Sequence, residues 1–305
     1  FLALFFSKAI AEPTFVQSLT FTAPDSKMEE YGLTFNNDGT KMYIAADDQP
    51  NPGDEDYVRE YTLTTAYDIS TATLTTTKVI LTGTHGANNV LIPTQVVFNN
   101  DGTKMFIAGH HGAMNVDYWS LTTAFDVSTA TLDGRYDISG QEIRANSIAF
   151  NNDGTRMIIA GAGNHLLEQD RIHEYSLDTA FDLSSGVTYL NREEMSSFHG
   201  YLDGVTFNHD GTKMYTIDSE DDRISQFKLT TPYDVSTLSL EGIFDVSSVG
   251  TEPRQIAFSH DGSKMFFIDN NSNKVHEFNL SCNWSVIDGA CDDPADTSDE
   301  GSDIT

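Results

Sequence analysis

The chain has 305 residues, of which 39% are hydrophobic and 11% aromatic, which supports a packed core and excludes a disordered chain. With 46 acidic and 17 basic residues its formal net charge is −29, so we expect neither nucleic acid nor an anionic membrane surface as a partner. Two interpretations of this acidity remain open: solubility in a salty extracellular medium, and carboxylates gathered around Ca²⁺.

The first eleven residues predict an exported protein. An apolar run at residues 1–6 precedes Ser7-Lys8-Ala9-Ile10-Ala11, which ends in the small-x-small pattern of a signal-peptidase site. We therefore interpret residues 1–11 as the remnant of a signal peptide and expect a secreted or cell-surface chain that begins at Glu12; a buried first strand is the alternative. No stretch of the sequence reaches the ~20 apolar residues that a membrane-spanning helix needs.

One phrase recurs five times and dominates the sequence. It reads Phe-Asn-Asn-Asp-Gly-Thr-Lys-Met in its first copy, and the copies lie at residues 35–42, 98–105, 150–157, 207–214 and 258–265. The intervals of 51 to 63 residues between copies fit the period of a propeller blade. Apolar residues alternate on both sides of each copy, and Asn-Asp-Gly suits a tight reversal, so each copy predicts a β-hairpin.

The remaining segments of each repeat predict two more strands. A third strand follows each hairpin, and in the first four repeats a Thr-Ala-Tyr-Asp-like phrase then leads to a fourth. The fifth repeat runs from Leu280 into a cysteine-containing loop, whereas residues 14–21 carry a fourth-strand pattern ahead of the first repeat. We therefore predict an all-β, five-bladed propeller of four-stranded blades over residues 12–281, whose last blade is completed by the N-terminal strand.

Residues 282–305 are predicted to form a disulfide loop and an acidic C-terminal tail or linker. Cys282 and Cys291 are the two cysteines of the chain, and in an exported protein they predict a local disulfide. The spacing of Asp296, Ser298 and Glu300 matches a calcium loop only in part, so a flexible acidic linker is the preferred interpretation.

Two parts of the repeat resemble known secreted proteins. The Asn-Asp-Gly-Thr-Lys-Met-Phe hairpin resembles the Ser-Pro-Asp-Gly-x-x-x-Tyr-Val-Ala blade of YVTN-type bacterial surface-layer propellers, and the phrase at residues 61–72 is similar to repeats in large secreted proteins of aquatic bacteria. The resemblance spans roughly residues 14–281. It implies a secreted bacterial propeller and leaves function open, because propellers serve as enzymes, lectins and scaffolds.

Any function is expected on the face built from the variable loops, which enter the inner strands and join the second strand of each blade to the third. Hard oxygen ligands suitable for Ca²⁺ occur there, and these candidate metal ligands are Asp47, Asp54, Asp218 and Asp269. No loop contains a complete calcium cassette, so solvated carboxylates are the alternative. Arg144, Asp203 and Arg254 lie on the approaches to the inner strands and are the predicted ligand-binding residues.

Three functions remain open at this stage. The preferred one is a non-catalytic binding or adhesion module that recognises a glycan or a protein; the second is a structural surface or filament subunit that contacts copies of itself. The third is a glycosidase-like hydrolase with Glu30, Asp203 and Glu252 as channel-mouth carboxylates, although nearby arginines would neutralise these acids. His209 and His260 replace asparagine in the hairpin turn and are assigned no role.

Overall fold

The computed structural model describes residues 12–21, 28–48, 56–79, 92–110, 114–141, 144–161 and 170–287. Twenty strands in this part of the chain form five antiparallel four-stranded sheets. The signal-peptide and acidic-tail predictions therefore lie outside the described residues, and Asp54 and Cys291 lie outside them as well. Among the described residues, no helix has the length and apolarity needed to cross a membrane.

Each of the first four sheets is built from four consecutive strands. Blade one contains β2 (Met28–Phe35), β3 (Lys41–Asp48), β4 (Tyr57–Leu63) and β5 (Ala72–Val79). Blade two contains β6 (Ile92–Phe98), β7 (Lys104–His110), β8 (Asn115–Leu121) and β9 (Ala130–Asp137), and blade three contains β10 (Ala145–Phe150), β11 (Arg156–Gly161), β12 (Arg171–Leu177) and β13 (Val187–Glu194). Blade four contains β14 (Leu202–Phe207), β15 (Lys213–Asp218), β16 (Arg223–Leu229) and β17 (Leu238–Asp245).

The fifth blade joins the two ends of the described chain. It contains β18 (Pro253–Phe258), β19 (Lys264–Asp269) and β20 (Lys274–Asn279), and its outermost strand is β1 (Thr14–Thr20). β1 runs antiparallel to β20, with Thr14 opposite Asn279 and Thr20 opposite Lys274. The predicted five-bladed propeller, closed by its N-terminal strand, is confirmed.

The first strand of each blade lies at the centre of the ring. β2 contacts both β6 and β18, and the intervening inner strands contact one another in order around the ring. We call the end at which the inner strands begin the top face and the end with the hairpin turns the bottom face. These five strands surround a central channel.

The repeated hairpin phrase forms the bottom turns through local hydrogen bonds. In blade one, the Oδ1 atom of Asp38 accepts from the backbone N–H of Thr40 at 3.0 Å and from its hydroxyl at 2.6 Å. Gly39 has a φ of +69°, a backbone conformation that side-chain-bearing residues rarely adopt. The ring of Tyr67, from the Thr-Ala-Tyr-Asp phrase, covers this glycine, and the Tyr67 N–H donates to its carbonyl at 2.9 Å.

The fifth repeat forms the same contact with different residues. Trp284 has a φ of +58°, its ring covers Gly262, and its N–H donates to the Gly262 carbonyl at 2.9 Å. Trp284 and Val286 are buried in the core between blades four and five. The segment that follows Leu280 was expected to leave the repeat pattern; the structure instead packs residues 282–287 against the propeller in the position of the Thr-Ala-Tyr-Asp phrase.

The apolar core lies between blades, because each of five buried clusters combines residues of two adjacent sheets. Polar links cross the same boundaries: the Nζ atom of Lys41 donates to the carbonyl of Phe125 in the next blade at 2.8 Å, and Lys264 donates to the Tyr67 carbonyl at 3.0 Å. Burial of apolar surface at every blade boundary therefore couples each sheet to both neighbours.

Candidate functional site at the mouth of the channel

Every inner strand contains a β-bulge at its upper end. The pairing register between the first and second strands of each blade shifts by one residue, and the extra residue is directed away from the regular pleat. We call these five bulged residues the mouth ring: Tyr31, Thr94, Asn146, Asp203 and Arg254. Together with Gln255 they enclose a space of about 10 Å³, enough for no more than one water molecule. The bulges thus bring one variable residue per blade to the top of the channel.

An ion pair dominates the electrostatics of this ring. The Nη1 atom of Arg254 lies 2.7 Å from Oδ1 of Asp203, and its Nη2 atom pairs with the carboxylate of Glu252. Asp203 is only 3% exposed, and burial raises its pKa to about 7, although Arg254 and Ser219 both lower it. The Ser219 N–H donates to Oδ2 of Asp203 at 3.0 Å. Both carboxylates are therefore held by one guanidinium.

Aromatic rings and guanidinium groups alternate beside the ion pair. The Cζ atom of Arg254 lies 5.6 Å from the centroid of the Tyr31 ring and 5.9 Å from that of Tyr201. Arg144 approaches Tyr201 in turn, with its Cζ atom 5.6 Å from the centroid. Each distance falls within the range of a cation–π contact. Burial raises the pKa of Tyr31, and its hydrogen bond to Glu29 raises it further, so this hydroxyl stays protonated as a donor.

Directly beneath the mouth ring, buried amide side chains connect the inner strands. The Nε2 atom of Gln255 donates to the carbonyls of Asn146 at 2.9 Å and Asp203 at 3.1 Å, and its Oε1 atom lies 3.2 Å from the hydroxyl of Ser147. Gln95 accepts from the Leu33 N–H at 3.1 Å. These bonds satisfy buried polar groups and fix the strands below the mouth.

The channel widens toward the bottom face into a cavity of about 270 Å³. Its rim carries one hairpin residue from each blade: Asn37, Asn100, Asn152, His209 and His260. Among the described residues that line it there is no Asp, Glu, Lys or Arg, although the whole chain is strongly acidic. The charged groups of the inner strands are therefore gathered at the opposite, top end.

The predicted metal ligands have other partners where the structure describes them. Asp218 accepts backbone N–H bonds from Gly200 at 2.8 Å and Glu220 at 2.9 Å, and Asp269 accepts from Glu252 at 2.8 Å and Thr251 at 3.2 Å.

Burial alone would raise the pKa of Asp218 and Asp269, yet hydrogen bonds from histidine and backbone donors outweigh it and lower both pKa values. Asp47 is buried in β3. No group of three or more His, Cys, Asp or Glu suited to a metal occurs within the described ranges, so the calcium site stays a prediction.

The predicted ligand-binding residues come together as a group. Arg144, Asp203 and Arg254 all lie at the channel mouth, and the catalytic candidate Glu252 joins them through Arg254. The side chain of Glu30 lies outside the described part of the structure, and the Cys282–Cys291 disulfide cannot be placed because Cys291 does too.

Tyr31 and Tyr201 were missed by sequence reasoning. A signal was available for Tyr31: it stands two residues before Leu33 of the repeated Leu33-x-Phe35 pattern, and the other repeats carry four different polar residues at that position.

Comparison with solved structures supports the fold. The chain is similar to a structure of a nidogen/laminin complex, with a TM-score of 0.50, 11% identity, and 89% of this chain and 88% of that chain covered. Two further similar structures are a periplasmic gluconolactonase of Pseudomonas aeruginosa, with a TM-score of 0.45, 16% identity and coverage of 81% and 65%, and a protein from Lactobacillus plantarum, with a TM-score of 0.44, 15% identity and coverage of 78% and 63%. No protein-family model and no curated protein matches the chain. The similarity to the nidogen/laminin structure, at 11% identity, shows the β-propeller fold alone.

Proposed function

We propose that this propeller is a non-catalytic, extracellular binding module that recognises a glycan or a protein through its top face. The observation that carries the proposal is the alternation of tyrosine rings and guanidinium groups at the mouth, formed by Tyr31, Arg254, Tyr201 and Arg144. Tyrosine and arginine are enriched among the residues that dominate binding energy in protein interfaces. Aromatic faces beside charged hydrogen-bonding groups also suit sugar rings and their hydroxyls.

The side chains at the mouth are supported by paired strands, which favours tighter binding than side chains on a flexible loop would give. The mouth ring stands on bulges of paired inner strands, and the buried Gln255 and Gln95 connect those strands. Side chains held in place before binding lose less conformational entropy when a ligand arrives. One similar structure is a nidogen/laminin complex, so the fold is compatible with a protein partner. Export is supported by residues 1–11 alone.

Hydrolysis has weaker support from the same geometry. A glycosidase needs one carboxylic acid and a second carboxylate that can both reach the scissile bond. Asp203 is almost completely buried and shares Arg254 with Glu252. The raised pKa of Asp203 is accounted for by its burial, without a catalytic role.

Binding can be tested with matched arginine variants. The wild-type chain would be screened against a glycan array and a panel of immobilised extracellular proteins, and the affinity for each captured ligand would be measured by biolayer interferometry. We expect Arg144→Ala and Tyr201→Ala to weaken binding by about tenfold or more. Arg192→Ala is the control, because Arg192 lies on the outer strand β13 with half of its side chain exposed.

Two results would count against the proposal. One is the absence of binding to any glycan or protein in the screen. The other is a captured ligand whose affinity is equally insensitive to the Arg144, Tyr201 and Arg192 variants, which would place its contacts away from the mouth.

A further inference from the structure

The bottom rim departs from the repeat in two adjacent blades. In blades one to three the third residue of the hairpin phrase is asparagine, and its side chain donates to the backbone carbonyl of the same position in the next blade: Asn37 to Asn100 at 2.6 Å, Asn100 to Asn152 at 2.6 Å, and Asn152 to His209. This position therefore points along the rim toward the next blade. In blades four and five it is occupied by His209 and His260.

The two imidazole rings contact each other edge to face across the boundary between these blades. Their ring centroids are 5.3 Å apart and their planes are inclined at 69°. A Zn–N bond is about 2.0–2.1 Å, so a tetrahedral ion held by one nitrogen of each ring places the two centroids about 5.2 Å apart. The observed centroid separation of 5.3 Å matches this value.

The surroundings of the pair also suit a cation. Both histidines are exposed, and they border the uncharged cavity at the bottom of the channel, from which water can supply the remaining ligands. An aspartate, Asp210 or Asp261, follows each histidine directly in the chain, and the whole protein carries a formal charge of −29. A negative field of this kind raises the local concentration of cations.

We propose that His209 and His260 form a two-imidazole site for a divalent transition-metal ion at the bottom rim of the channel. Imidazole nitrogen binds Zn²⁺, Cu²⁺ and Ni²⁺, whereas Ca²⁺ and Mg²⁺ require oxygen ligands. With two protein ligands the ion keeps open positions that face the cavity, unlike a closed structural site with four. This site is independent of the top-face binding function and of the calcium prediction.

The first test is titration of the mature chain with Zn²⁺ by isothermal calorimetry. We expect one Zn²⁺ ion per chain at this site, no competition for it by Ca²⁺ or Mg²⁺, and a loss of Zn²⁺ affinity of about tenfold or more in His209→Asn and in His260→Asn. Asparagine is the residue that three other repeats carry at this position, so both variants should keep the fold. His111→Asn is the matched control, because it removes a histidine that is not part of the proposed site.

A gain-of-function variant gives a second test. Asn152→His extends the row of imidazoles to a third blade, and we expect it to strengthen Zn²⁺ binding by about tenfold or more. The proposal is overturned if the wild type binds no Zn²⁺, or if Zn²⁺ binding is unchanged in the double variant His209→Asn/His260→Asn. Should either asparagine variant fail to fold, an unchanged affinity in Asn152→His would still reject the site.

Discussion

Asp203 shows how a single buried group makes the stability of the ring depend on pH. Its pKa is raised from 3.8 to about 7, with burial as the main cause, so the folded protein holds this proton more tightly than the unfolded chain does. The stability contributed by the protonated form is complete below about pH 4 and is lost as the pH rises through about 7. The Arg254 ion pair offsets only part of this loss.

The substitution Asp203→Asn should remove that pH dependence. We expect the unfolding free energy of the wild type, minus that of the variant, to fall between about pH 4 and pH 7, by at most on the order of 4 kcal/mol. Denaturant unfolding at a series of pH values measures this difference. Asp153→Asn is the control, because hydrogen bonds from Thr155 lower the pKa of Asp153. For this variant, the difference in unfolding free energy from the wild type should stay nearly constant across that pH range. If the difference in unfolding free energy between the wild type and Asp203→Asn is also constant, Asp203 is not the source of the pH dependence.

Among the elements, the bottom hairpin is the unit most tightly constrained by its residues. Gly154 combines a φ of +70° with a position where an added Cβ atom would lie 2.2 Å from the ring of Phe181. The side chain of a larger residue would be strained by the backbone and would also displace the aromatic residue that covers the turn.

We therefore expect Gly154→Ala to lower the unfolding free energy by about 2 kcal/mol or more. Gly140→Ala provides the matched control, because a Cβ atom there meets no atom within 4 Å and the backbone is not left-handed; its effect should stay within about 0.5 kcal/mol. Thermal or denaturant unfolding of both variants measures the loss of unfolding free energy in each. Equal effects at the two glycines would refute the proposed clash with Phe181.

The hairpins, the blade period and the closing strand could be predicted from sequence because turn chemistry is local. Asn-Asp-Gly specifies its reversal wherever it occurs, and the alternating apolar residues specify the strands beside it. The mouth ring could not be predicted in the same way. Whether Tyr31 or Asp203 forms a bulge depends on the register of the paired strand, and the sequence of one strand alone does not record that register.

Trp284 illustrates a second limit of sequence reasoning. Cys282-Asn283-Trp284-Ser285 shares no residue with Thr-Ala-Tyr-Asp, yet it brings an aromatic ring over the equivalent glycine with the same left-handed backbone. The requirement at that position is a flat ring over a turn, and tyrosine, phenylalanine and tryptophan all fulfil it. The physical role is retained although the motif is not.

At the scale of the whole molecule, five blades depend on one strand for closure. β1 pairs with β20, and Gln17 donates to Glu277 in its own blade and to Asp68 in blade one, at 2.8 Å each. Phe21 packs against Tyr61 of blade one, with ring centroids 5.5 Å apart. Removal of this segment leaves the edge of β20 exposed and uncouples the last blade from the first.

A truncated chain that lacks residues 12–21 should consequently unfold at a lower temperature than the full ring, with a broader transition. A synthetic peptide of residues 12–21 added in trans should restore part of the lost stability by strand addition. Differential scanning calorimetry with and without the peptide measures both effects, and a peptide of scrambled sequence is the control. An unchanged melting temperature after truncation would show that closure by β1 contributes nothing.

The pairing of Thr14 with Asn279 also determines how the ring responds to tension. The start of β1 and the end of β20 lie side by side at the same end of the closing pair. A pull applied at Thr14 and Asn279 therefore loads the hydrogen bonds of this pair one after another and does not shear them all at once. Blade five should yield first at low force, while the other four sheets, each continuous in the chain, remain folded.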